Sequence, residues 1–207
     1  MRLLRTQYRP ALALTLFLVG VIGTTQAQEA TAPNWTLFTR AFVAGGSYSS
    51  SPAGFESYSG IGLEIALQRQ IGARWAAAFT LRTESREVDS VPSSGPSLRY
   101  GSVELLPMSL LVQYQPRVHG AWQPYLGLGA TFTVAWEKSG VLDTLDVPPY
   151  LGPAVQAGVE FALAPAVLLN LDLRWNTDRL TFQSSGSDLA ELKIDPMTIG
   201  FGVGFRF

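Results

Sequence analysis

Across its last eleven residues, Met197-Thr-Ile-Gly-Phe-Gly-Val-Gly-Phe-Arg-Phe207, the chain alternates without a break. Met197, Ile199, Phe201, Val203, Phe205 and Phe207 form one series, and Thr198, Gly200, Gly202, Gly204 and Arg206 the other. A period of two over this length predicts a β-strand with one oily face and one small or polar face. The same period recurs upstream. Residues 34–44 give a strand with poorly separated faces, Leu37, Thr39, Ala41 and Val43 against Phe38, Arg40, Phe42 and Ala44. Ile61, Leu63, Ile65 and Leu67 alternate with Gly62, Glu64, Ala66 and Gln68, and Trp75, Ala77, Phe79 and Leu81 with Ala76, Ala78, Thr80, Arg82, Glu84 and Arg86.

Within residues 103–115, Met108, Leu110, Val112 and Tyr114 oppose Ser109, Leu111, Gln113 and Gln115. Pro107 in that strand cannot donate to a ladder and predicts a bulge. Leu126, Leu128, Ala130, Phe132, Val134 and Trp136 oppose Tyr125, Gly127, Gly129, Thr131, Thr133, Ala135 and Glu137; Val155, Ala157, Val159 and Phe161 oppose Gln156, Gly158 and Glu160. Sharpest is Val167, Leu169, Leu171, Leu173 and Trp175 against Leu168, Asn170, Asp172, Arg174 and Asn176. These are eight strands. Residues 45–57, 89–101, 138–150 and 178–191 read as long polar or Gly/Pro-rich loops, the third with room for a helical turn. Residues 69–74, 116–121 and 164–166 are short turns. Long and short connections alternate, so all short turns fall at one end of an antiparallel up-and-down barrel.

Alternation does not say which face points outward, because a soluble barrel alternates as well. Three observations choose the membrane form. An eight-stranded bore is too narrow for the Leu, Ile, Val and Phe series but suits Gly, Ala, Thr and a few charges. The chain has two lysines, Lys138 and Lys193, where a wet exterior would carry many. All five tryptophans stand at strand ends, Trp35, Trp75 and Trp122 toward the short turns and Trp136 and Trp175 toward the long loops, as in the two aromatic girdles of a bilayer.

The amino end adds the route. Arg2, Arg5 and Arg9 precede an apolar run from Ala11 to Gly23 and then Thr25-Gln-Ala27, the three parts of a secretory signal peptide over residues 1–27. The mature chain then begins near Gln28 and forms one barrel domain over residues 28–207. Removing the three arginines leaves 12 of the 15 basic residues against all 16 acidic ones, a balance of −4 that speaks against a nucleic-acid partner. Cysteine is absent, so no disulfide contributes.

Several runs carry a likeness: Leu105-Leu-Pro-Met-Ser-Leu-Leu-Val-Gln-Tyr114, Gln123-Pro-Tyr-Leu-Gly-Leu-Gly-Ala-Thr-Phe132, Gly152-Pro-Ala-Val-Gln-Ala-Gly-Val159, Leu169-Asn-Leu-Asp-Leu-Arg174, and Lys193-Ile-Asp-Pro196 with the closing Gly-x-Gly-Phe-Arg-Phe. In this order they resemble the outer membrane protein W (OmpW) family. The chain departs from the family pattern at Met197, where an aromatic is expected, and in the turn Ala164-Pro-Ala166, which lacks the usual Asn and Trp. The resemblance implies an eight-stranded barrel in the outer membrane of a Gram-negative bacterium. It implies insertion by the barrel-assembly machinery with periplasmic chaperones, Phe207 serving as insertion signal. It also implies passage or binding of a small hydrophobic ligand in a largely apolar lumen. The alternative is a structural or surface-interaction barrel that acts through its long external loops.

On the inward face the alternation collects Arg40, Arg82, Arg86, Arg174 and Arg206 with Glu64, Glu84, Glu137, Glu160 and Asp172, five charges of each sign. Burying charge is expensive unless it is paired, so this set is expected to pair, either as a plug or along a polar path. Phe42, Leu111, Tyr125 and Leu168 are the inward apolar or aromatic residues that would line the lumen for a hydrophobic ligand. No cofactor or metal site is evident. Small barrels can host lipid-modifying enzymes, but His119, the one histidine, falls in a short turn away from external lipid, and no cysteine replaces it as part of a nucleophile pair. The chain is read as a barrel without catalysis.

Overall fold

The computed structural model describes residues 34–45, 48–50, 55–59, 61–90, 98–116, 120–184, 187–194 and 197–207. The strands are β1 (Trp35–Gly45), β2 (Tyr48–Ser50), β3 (Phe55–Ser59), β4 (Ile61–Gln70), β5 (Trp75–Ser90), β6 (Leu98–Tyr114), β7 (Trp122–Lys138), β8 (Tyr150–Ala164), β9 (Val167–Asn176), β10 (Asp178–Ser184), β11 (Ser187–Ile194) and β12 (Met197–Arg206), with one 3-10 turn at Gly140–Thr144. Eight of them, β1, β4 to β9 and β12, form a closed antiparallel barrel. The last strand seals it: β12 lies between β9 and β1, and Trp35 and Phe207 exchange backbone hydrogen bonds of 3.1 and 2.9 Å. Closure satisfies every wall strand's ladder from both sides, which a lipid environment demands.

The alternation places the oily series outside. Leu128 is 66% exposed and Phe201 57%, whereas Arg40 on the opposite parity is 2% exposed. That contrast excludes a soluble barrel with an apolar core. Trp75, Trp122, Trp136 and Trp175 are exposed near strand ends. The Trp75 ring packs on Tyr114 at 5.1 Å and that of Trp122 on Phe161 at 4.9 Å. Trp35 is half-buried, with the Arg69 guanidinium 5.2 Å above its ring.

Four sequence expectations need correction. Residues 45–57 are not wholly loop, because β2 pairs with β3 and β3 pairs with the upper part of β5, extending the wall beyond the eight-strand belt. Residues 89–101 likewise lose both ends to strand, with Asp89 opposite Arg99 across a register shift after Val88. Residues 178–191 hold most of the β10 and β11 hairpin. Lastly, the bulge expected at Pro107 stands elsewhere. Pro107 keeps its place opposite Thr133, and the register toward β7 shifts between Glu104 and Leu105.

That shift moves one of the lumen residues. Glu104 faces Glu137 and Leu105 faces Ala135, which leaves Trp136 as the extra residue. One inserted residue inverts the parity of everything after it. Ala135 therefore stays on the half-buried inward side while Glu137 is exposed on the outside and is no part of the interior charge set. The helical turn allowed for in residues 138–150 is present as the 3-10 turn. Residues 1–27 and His119 lie outside the described residues.

Candidate functional site

The bore is filled from wall to wall. At mid-height Glu64, on β4, accepts from Arg40 on β1 at 2.6 Å and from Arg174 on β9 at 2.6 Å. Arg174 also reaches Thr80 of β5 at 3.0 Å and Asp172 at 3.3 Å. Asp172 accepts from Tyr125 of β7 at 2.6 Å and from Gln156 of β8 at 2.5 Å, and Gln156 in turn accepts from Gln113 of β6 at 2.8 Å. Asn170 donates to the Tyr125 hydroxyl at 3.0 Å and accepts from Arg40 Nε at 2.6 Å. The circuit thus returns to its start after touching seven of the eight wall strands. Every member is at most 4% exposed, so each charge depends on its partners rather than on water.

The eighth strand, β12, makes the circuit possible by contributing little volume. Arg40 stands opposite Gly202, and Gly202 opposite Asn170, so the bond from Arg40 to Asn170 passes over a glycine. The same row geometry recurs as Tyr125, Gly158, Asp172 and as Gln113, Gly127, Gln156. Two strands stand roughly 10 Å apart, and a long side chain bridges that gap only if it can lie flat across the strand between. A Cβ at Gly158 would fall 2.4 Å from the Tyr125 hydroxyl, and one at Gly202 would fall 2.7 Å from Arg40 Cγ.

Above the circuit lies a second charged group on β5. Glu84 is shared by Arg82 at 3.5 Å and by Arg86, and Arg82 donates to Thr198 at 3.1 Å. Beside this group, on the side of the long connections, the lining turns apolar. Val103 and Leu105 of β6 cluster with Leu142 of the 3-10 turn and Phe182 of β10, and Ala135, Leu145 and Val147 pack around them. Below the circuit, at the short-turn mouth, a polar cavity of about 240 Å³ is lined by Thr36, Gln68, Gln115, Gln123, Glu160 and Arg206 among others. Gln68 donates to Glu160 at 3.0 Å, and Arg206, still 35% exposed, stands 3.9 Å from the other Glu160 oxygen.

Of the expected charge set, Arg40, Glu64, Asp172 and Arg174 come together at mid-bore, Arg82, Glu84 and Arg86 above, and Glu160 and Arg206 below. With Glu137 outside, five cations and four anions of the expected set remain on the inward face. The expected apolar lining does not form one wall. Phe42 lies under the Arg82 guanidinium at 4.9 Å, and Leu168 packs with Phe38 and Ala66. Leu111 packs with Ala78 and Ala154, and Tyr125 belongs to the circuit. The lumen implied by the resemblance is apolar only in patches, the largest of them at the long-loop end. Sequence reasoning assigned no role to Thr80, Gln113, Gln156, Asn170 or Thr198, although their parity put them inside, and it passed over Leu142 and Phe182 because they lie in segments read as loop. Among the described residues no group of three or more His, Cys, Asp or Glu gathers to hold a metal ion.

A closed ladder clad in Leu, Val and Phe is at home only in lipid, which makes this a transmembrane β-barrel of the outer-membrane type. The chain belongs to the OmpW family, whose model matches residues 47–207. It is 32% identical over 142 residues to the uncharacterised outer-membrane protein y4mB of Sinorhizobium fredii (strain NBRC 101917 / NGR234), a match covering 64% of this chain and 59% of that relative. It is 23% identical over 171 residues to outer membrane protein AlkL of Ectopseudomonas oleovorans, covering 80% of this chain and 73% of AlkL. Its fold matches the crystal structure of OprG from Pseudomonas aeruginosa with a TM-score of 0.67 at 19% identity, over 85% of this chain and 96% of OprG. The match to AlkL solved in DMPC lipid bilayers has a TM-score of 0.64 at 19% identity, over 89% of this chain and 96% of AlkL. The protein is an outer-membrane β-barrel of a Gram-negative bacterium.

Proposed function

We propose that this barrel is a passive outer-membrane channel or binding protein for small hydrophobic molecules, received at the long-loop end. The observation that carries this reading is the apolar cluster of Val103, Leu105, Leu142 and Phe182 with Ala135, Leu145 and Val147 packed around it, the most extensive apolar cluster among the described inward residues. Loops of such barrels face the exterior, so an oily cluster at that end stands nearest to solutes arriving from outside. The charge circuit beneath supports binding over free flow, since an apolar solute crossing it would have to separate two buried ion pairs at Glu64. The inward packing of Leu142 favours this reading over a loop free to act as an adhesin.

Vesicles holding the folded protein should take up an apolar fluorescent solute faster than empty vesicles. Equal rates would remove the function while leaving the barrel intact. The same reading includes residues 1–27 as a signal peptide, Phe207 as the signal read by the barrel-assembly machinery after chaperone delivery, and a mature chain beginning near Gln28. Amino-terminal sequencing of protein recovered from outer membranes should start there; a start at Met1 would refute it.

A further inference from the structure

The apolar cluster borders a charged group, whose chemistry narrows what the cluster would hold. On paired strands β5 and β6, Arg86 stands opposite Val103 and Glu84 opposite Leu105, all four on the inward face. Residues so paired have Cβ atoms about 5 Å apart, which brings the charges into direct succession with the apolar cluster. That group is cationic overall: Arg82 and Arg86 share one carboxylate, Glu84. Arg82 has a further acceptor in Thr198. Arg86 does not. It is 1% exposed, its contact with Glu84 lacks hydrogen-bond geometry, and its Nε and Nη1 meet no acceptor among the described residues. A buried guanidinium in this condition is costly, and a planar anion that accepts from two of its nitrogens relieves that cost.

We infer that this end of the bore opens to accommodate amphiphiles with one carboxylate head, the head on Arg86 and the tail among Val103, Leu105, Leu142 and Phe182. The inference rests on the hydrophobic-ligand reading above and specifies its substrate class. Room for the tail comes from the cover rather than the wall. Leu142 sits on a 3-10 turn in a loop, and Phe182 sits at a register shift in its own hairpin. An isolated bridge between Asp146 and Gln183 links the two segments. Both side chains can step aside without breaking a ladder bond of the eight-stranded belt.

Equilibrium dialysis of labelled decanoate and labelled 1-decanol against nanodiscs with and without the protein tests this. Wild type should bind decanoate about tenfold more tightly than the alcohol, as expected for a charge-assisted contact. In Arg86→Gln that ratio should fall to about one, and in Arg86→Lys, which keeps the charge but loses the fork, it should lie between. A wild-type ratio near one, with both compounds bound, overturns the carboxylate assignment and leaves the hydrophobic-ligand reading standing. Absence of binding by either compound overturns both. Should Arg86→Gln fail to reach the folded, heat-modifiable form, Arg86→Lys carries the test, and an unchanged ratio there overturns the assignment.

Discussion

Glu64→Gln is the most informative single change, because Glu64 is the anion through which two buried guanidinium groups join the mid-bore circuit. Its Oε1 accepts from Arg40 at 2.6 Å and its Oε2 from Arg174 at 2.6 Å, with a further contact from Arg174 at 3.2 Å. Glutamine preserves the shape but removes the charge and turns one acceptor into a donor facing a donor. Breaking a buried ion pair in this way costs about 3–5 kcal/mol. Arg174 retains Asp172 and Thr80, and Arg40 retains Asn170, which places the expected loss near the lower end, about 3 kcal/mol. Urea unfolding of the protein in lipid vesicles, followed by tryptophan emission and by the mobility of unboiled samples on a gel, measures it. Adding Arg174→Gln should recover part of the loss, with a coupling of about 1–3 kcal/mol, because the second change removes the cation that the first stranded. If Glu64→Gln falls within about 0.5 kcal/mol of wild type, or if the two changes simply add, the circuit is not what stabilises the middle of the bore.

Two more changes probe the wall. Leu171→Arg, outward and near mid-strand opposite Phe201 and Val159, should cost about 2–4 kcal/mol in bilayers, whereas Val167→Arg, beside the short turn, should cost about 0–1 kcal/mol; equal costs measured by the same unfolding assay would contradict the membrane depth assigned to β9. Gly158→Ala should destabilise by about 1–3 kcal/mol through overpacking, because a Cβ there meets the Tyr125 ring carbon and hydroxyl at 2.4 Å and the Leu171 carbonyl at 2.5 Å; an unfolding midpoint equal to wild type would show that Tyr125 does not lie flat over this glycine.

Parity was legible in the sequence because a two-residue period depends on backbone geometry alone, and it located Arg40, Glu64, Arg82, Asp172 and Arg174 before any partner was known. It failed where one residue is inserted. Nothing in the run Thr133-Val-Ala-Trp-Glu137 marks Trp136 as supernumerary, since the bulge arises from the pairing with Glu104 and Leu105 on another strand. Loops were misread for a different reason. Arg179, Leu180, Thr181, Phe182 and Gln183 alternate as well as any wall strand, but the polar character of the surrounding residues concealed it. Partner choice was legible only within a strand. Asp172 with Arg174 and Arg82 with Glu84 and Arg86 are two residues apart on one face, whereas the pairing of Glu64 with Arg174 spans 110 positions and follows from barrel closure.

Closure also explains the glycines, which on the sequence alone read merely as small. In the rows Arg40, Gly202, Asn170 and Tyr125, Gly158, Asp172, the glycine is the middle of three residues aligned across the hydrogen-bonding direction. A residue with a side chain there would keep its neighbours apart and force Arg40 or Tyr125 to project toward the barrel axis. Laid flat over glycine, those side chains instead reach the strand beyond and bond wall to wall. The Gly-x-Gly-x-Gly run of β12 is therefore as much a part of the circuit as the charges, and it accounts for the one wall strand that contributes no side chain to it. Because polar groups fill these rows across the middle, the apolar cluster near Leu142 and Phe182 is the one toward the long loops, which is why the functional reading rests at that end.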